Sequence, residues 1–98
     1  MFIQLIDAQL SDVETALTQL HEEWERATDG RNTVRRSITA RDRDDENRMV
    51  SVVFFDSYES AMQNSELPET DEMAAKMRAI VDDVSYRNLD VIDDRTFG

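Results

Sequence analysis

The chain opens on an alternation. From Phe2 to Asp7 apolar and polar residues exchange places, with β-branched members among them, and a period of two predicts a strand. The period then lengthens. Val13, Leu17, Leu20, Trp24 and Ala27 recur every three or four residues, which places them on one stripe of a helix. Ser11-Asp12-Val13-Glu14 has the form of a capping box, and Gly30 supplies a stop after the last periodic residue. Thr33 to Arg41 alternates again. Val34, Ile38 and Ala40 share one face of this second strand, and Arg36 interrupts it. The charged stretch Arg41 to Arg48 reads as a hairpin tip.

Met49 to Phe55 is apolar on both faces apart from Ser51, which predicts a strand inside its sheet and not at an edge. Asp56 or Ser57 caps the next helix, with Glu59 completing the cap if Asp56 is the N-cap. Pro68 ends or kinks that helix. Thr70 or Asp71 then caps a continuation with Met73, Met77, Ile80 and Val81 on one face, and Ser85 to Ile92 closes the chain as a last strand. The order β-α-β-β-α-β is the ferredoxin-like split unit, an α+β fold with a four-stranded antiparallel sheet and helices on one face. The first and third strands are apolar on both sides, so the outer face of the sheet needs a cover. A second copy, packed sheet against sheet, is the simplest one, and the expectation is a homodimer.

With 98 residues the chain fits one domain, residues 1–98. The net charge of -11 opposes binding to nucleic acid or to an anionic membrane. There is no cysteine, hence no disulfide and no thiolate metal site. MFIQLID lacks the basic lead of a signal peptide, and no apolar run is long enough to span a bilayer, so a cytoplasmic location is expected.

The element order, the doubly apolar sheet and the stretch VVFFDSYESAMQNSELP together resemble the dimeric α+β barrel superfamily, in particular its antibiotic-biosynthesis-monooxygenase-like domains. The resemblance covers nearly the whole chain. It implies a small cofactor-independent monooxygenase acting on an aromatic or polyketide-like molecule. It equally admits a non-catalytic ligand-binding or structural dimer of the same fold. The haem degraders of the superfamily use an Asn on the first strand, a Trp near the end of the third and a His on the second long helix. This chain has Gln4, Phe54-Phe55 and no histidine between Phe55 and Val84, which departs from all three. The cofactor-free oxygenases lean on Asn, Trp and Tyr. Trp24, Tyr58, Asn64, Tyr86 and Asn88 supply those residue types.

His21, the only histidine, lies at the edge of the apolar stripe of the first helix. It is either a base facing a pocket or a boundary histidine with one nitrogen in water. Trp24 is a stacking surface or ordinary core with its indole N–H given to a carbonyl. Arg36 binds an acidic ligand, pairs across the dimer, or reaches the rim. The expected site is His21 and Asn64 as catalytic residues, with Gln4, Trp24, Arg36 and Tyr58 binding the substrate. No Gly-rich phosphate loop, HExxH pattern or calcium-loop spacing is present, so neither metal nor cofactor is expected. The paired aspartates at 44–45, 82–83 and 93–94 read as solvated surface.

Overall fold

The computed structural model describes residues 1–9 and 14–98, with the backbone alone for residues 14–16. Its elements are β1 (Phe2–Gln9), α1 (Glu14–Ala27), β2 (Arg36–Arg41), β3 (Arg48–Phe55), α2 (Tyr58–Ser65), α3 (Pro68–Ile80) and β4 (Asp83–Asp90). The strands form one antiparallel sheet in the order β2-β3-β1-β4, and the helices pack on one face of it. This is the ferredoxin-like α+β arrangement. β3 is interior, as its doubly apolar sequence required, and so is β1. The capping box at Ser11 lies outside the described residues.

Several boundaries differ from the sequence expectation, each for a local reason. The second strand begins at Arg36 and not at Thr33. The Thr33 hydroxyl donates to the Ser60 carbonyl at 2.5 Å, and Val34 packs against the Phe2, Phe55 and Ala61 cluster, away from the face of Ile38. The last strand runs two residues earlier than Ser85–Ile92, because it pairs with β1 along its whole length, from Gln9↔Asp83 to Phe2↔Asp90. Of the two caps expected for α2, Ser57 is the one used: it accepts from the Ser60 amide, and the Asp56 carboxylate is held by Arg35 at 2.6 Å. Pro68 starts α3 at its first position, behind Leu67 as N-cap. There its fixed φ suits a helix and its missing N–H costs nothing. Thr70 and Asp71 therefore lie inside the helix.

Strand register sorts the side chains of the two faces into rows. On the outer face one row reads Arg36, Phe54, Ile3, Leu89; the next Ile38, Val52, Leu5, Arg87; the third Ala40, Val50, Asp7, Ser85. The first two rows are apolar apart from an arginine each, and no helix covers them. On the helix side the rows differ in kind. The end rows carry Phe55 beside Phe2 and Met49 beside Ala8. The middle rows read Ser37, Val53, Gln4, Asn88 and Thr39, Ser51, Ile6, Tyr86.

The core follows these rows and is split in two. At one end Phe2, Phe55 and Ala61 are buried together, with Val53 and Met62 against them. At the other, Leu17, Met49 and Met77 are buried, with Ile6, Leu20, Val81 and Val84 around them. Between the two clusters lies the polar middle of the sheet.

Candidate functional site

A cavity of about 400 Å³ occupies that middle. It falls in the range of small-molecule sites, roughly 300–1,000 Å³. Its floor is Gln4 and Ile6 of β1 with Ser51 and Val53 of β3; its roof comes from His21 and Trp24 of α1, Asn64 of α2 and Met73 of α3. Arg35, Arg36 and Ser37 close the β2 side, where the strand is exposed throughout. Glu25 and Asn32 also line it.

Several lining groups are already committed within the protein. The Trp24 indole N–H donates to Thr70 Oγ1 at 2.8 Å, which ties α1 to α3 and leaves the ring face as a wall. The expected carbonyl partner is thus a hydroxyl. Thr28, fully buried, donates to the Trp24 carbonyl at 2.7 Å and accepts from Asn32 Nδ2 at 3.2 Å. Arg35 holds Asp56, so its charge is answered outside the cavity. Beyond the roof, Arg31 and Glu69 pair at 2.5 Å and add a second tie between the end of α1 and the start of α3. The bond from Arg31 holds the Glu69 carboxyl below the ordinary glutamate range.

Other groups are available. His21 is half-buried, and loss of hydration pushes its pKa below the usual 6.5. At neutral pH it is an uncharged imidazole, which can accept a proton. Asn64 is 7 % exposed, and its Oδ1 accepts from no described residue. A buried acceptor without a donor costs about 1–3 kcal/mol, so such atoms are uncommon outside sites. Ser51 is also buried and shares a hydrogen bond of 2.9 Å with Thr39. Arg36 is exposed at the cavity edge and has no ion-pair partner among the described residues.

Of the residues singled out from the sequence, the fold gathers Gln4, His21, Trp24, Arg36 and Asn64 around one cavity. Tyr58 stands apart. It begins α2, is half-exposed, and sets its ring nearly perpendicular to Phe2 at 5.5 Å, against the Phe2–Phe55 core. Ser51, Thr70 and Asn32 were missed. Ser51 had a signal, as the one polar residue in an otherwise apolar strand. Thr70 and Asn32 had none, because their contacts depend on where α1 and α3 meet. Among the described residues no group of three His, Asp or Glu side chains is placed to hold a metal ion, and no helix is long and apolar enough to cross a membrane.

No family model matches the chain, and no curated protein matches it in sequence. Solved structures do match in shape. A candidate antibiotic biosynthesis monooxygenase from Deinococcus radiodurans superposes with a TM-score of 0.79 at 15% identity, over 100% of this chain and 99% of that one. SnoaB from Streptomyces nogalater, described as a cofactor-independent oxygenase and solved as an asparagine mutant, gives 0.80 at 13% identity, over 95% and 94%. Rv0793 from Mycobacterium tuberculosis gives 0.78 at 14% identity, over 97% and 98%. The chain thus has the ferredoxin-like α+β fold of the antibiotic biosynthesis monooxygenase proteins.

Proposed function

We propose that this protein is a cofactor-independent monooxygenase that oxidises a planar aromatic or polyketide-like molecule. The observation that carries the reading is the cavity between the two cores. It brings together a neutral His21, the unpartnered Oδ1 of buried Asn64, the ring of Trp24 and the amide of Gln4. A sealed and wholly apolar cavity would have favoured simple ligand binding.

The chemistry needs little from the protein. A ring CH2 next to a conjugated carbonyl loses a proton to His21, and the resulting stabilised carbanion attacks dioxygen. Protonation gives a hydroperoxide, which loses water and leaves a carbonyl. One oxygen atom enters the product, and the other leaves with both hydrogens as water. The chain has only to bind, orient and deprotonate. Trp24 offers a stacking face, and Asn64 and Gln4 hold polar edges of the ligand; Arg36 borders the cavity from a strand position whose row lies on the outer face of the sheet. The name given to SnoaB, a cofactor-independent oxygenase, supports the same class.

The working form is a homodimer of the one domain, residues 1–98. Its support is the outer face of the sheet, where Ile3, Leu5, Val50, Val52 and Phe54 are half-buried in a single chain, and Ile38 and Leu89 are about two-fifths exposed. The test of activity is oxygen uptake by metal-stripped protein with anthrone-type compounds. Turnover should fall by roughly 10²-fold or more in His21→Ala, the usual weight of a positioned base. Trp24→Ala should raise KM. An inactive wild type across the panel, with binding retained, would establish the non-catalytic ligand-binding alternative instead.

A further inference from the structure

Ser51 interrupts an apolar strand, and the proposed chemistry leaves it unused. We infer that Ser51 and Gln4 form a cradle on the cavity floor for a ligand oxygen that gains negative charge on deprotonation, with Thr39 as the positioning residue for Ser51. This rests on the reading of the cavity as a substrate site. It adds a requirement: the ligand carries a carbonyl or enolisable oxygen at the edge that meets the sheet.

An inventory of donors leads there. A carbanion next to a carbonyl is an enolate, and its oxygen needs hydrogen-bond donors in a site that excludes water. Trp24 has spent its N–H on Thr70, Asn32 donates to Thr28, and Arg35 is held by Asp56. On the floor, Gln4 and Ser51 remain. They lie on adjacent strands, with Gln4 opposite Val53 and Ser51 opposite Ile6, and both line the cavity. Diagonal neighbours across antiparallel strands are about 7–8 Å apart at Cα, so one oxygen between them is within reach of both side chains.

Thr39 is placed to bias which way the serine proton points. The Thr39 and Ser51 hydroxyls are 2.9 Å apart, and either can donate. Thr39 is exposed, so its other hydrogen-bonding needs are met by water; Ser51 is 7 % exposed and has no such choice. When Thr39 donates, the Ser51 proton is released for the ligand. A ligand oxygen that becomes anionic selects that orientation. Placing the oxygen on the floor turns the far edge of the ring system toward the helix layer, where His21 takes the proton.

The test uses two ligands of the same outline under anaerobic conditions: anthrone, with one oxygen, and anthracene, with none. Bound anthrone should ionise to its enolate at lower pH than free anthrone, read from the enolate absorbance. Ser51→Ala should raise that apparent pKa by roughly one to two pH units, the size of one hydrogen bond to a charged group. Thr39→Val should raise it by about half a unit, and Thr39→Ser should restore it, which a merely structural role for the threonine would not produce. Anthracene binding should be the same in wild type and all three variants, which also shows that they are folded. An anthrone pKa unmoved by Ser51→Ala and by Thr39→Val, with both ligands still bound, would overturn the cradle and leave the substrate site standing. Failure of wild type to bind either ligand would overturn the site itself.

Discussion

Replacing Val52 by aspartate should separate the proposed dimer while leaving each chain folded. Val52 lies in the second outer row between Ile38 and Leu5, and is half-buried in a single chain. In a sheet-to-sheet dimer it would be near the centre of the interface. A carboxylate there loses its hydration with no cation in its own row nearer than Arg87. An uncompensated buried charge costs about 3–5 kcal/mol. Arg36 stands on the diagonal and offsets part of this, so the lower end is the better figure. The homodimer carries the substitution in both chains, so the total is about 6 kcal/mol, which raises the dissociation constant roughly 10⁴-fold, at 1.4 kcal/mol per decade. Sedimentation equilibrium over two decades of concentration around micromolar should give about twice 11.4 kDa for wild type. It should give a single chain for Val52→Asp, with an unchanged circular dichroism spectrum. Val52→Thr, uncharged and of similar shape, should stay dimeric. A monomeric wild type would refute the argument from the outer rows, and so would a Val52→Asp variant that dimerises as tightly as wild type.

Burial lowers the His21 pKa in the folded state, so below pH 6.5 the unfolded chain binds the extra proton first. Its contribution is complete above pH 6.5 and is lost as pH falls through the lowered folded value, at up to ~1.4 kcal/mol per pH unit. Urea unfolding of His21→Gln should therefore show a flatter pH dependence just below pH 6.5; equal slopes would disprove the buried imidazole. Trp24→Phe and Thr70→Val should each destabilise by about 1 kcal/mol, and the double variant by less than the sum, because both remove the same bond. Strict additivity would show that the indole and the hydroxyl do not interact. Phe55→Ala should cost about 3–5 kcal/mol, since Phe55 is 1 % exposed in the core against Phe2; thermal unfolding measures it, and a loss under 1 kcal/mol would contradict that packing.

The architecture was legible because each element carried its own period. Met49 to Phe55 read as an interior strand and Phe2 to Asp7 as a strand apolar on both faces, while the interior place of β1 appears only in the fold. Sequence left a choice, or erred, where a side chain had a second suitor. Asp56 and Ser57 both have the chemistry of an N-cap, and the choice falls on Ser57 because Arg35, distant in sequence, takes Asp56. Thr70 has it too, yet Pro68 starts the helix and Trp24 claims the hydroxyl. The candidate site was legible through residues that break a pattern, such as Gln4 in a strand and His21 beside a stripe. Tyr58 broke none; its residue type suggested it, and the fold puts it against Phe2. Ser51 broke a pattern in plain view, but a lone serine acquires meaning only beside Thr39, which hairpin register supplies.

The division of the core into two clusters sets the apolar ends of the sheet apart from its polar middle. Phe2, Phe55 and Ala61 hold one end of the sheet, and Leu17, Met49 and Met77 hold the other. Gln4, Ser51 and Asn64 lie between them, but Val53 beside Gln4 and Ile6 beside Ser51 pack against the two clusters. A substitution at Gln4 or Ser51 therefore reaches a cluster through its row neighbour, and its effect on stability need not add to that of a change at the ends. The fold itself tolerates wide change in sequence: structures that superpose on this chain at TM-scores near 0.8 share about one residue in seven with it.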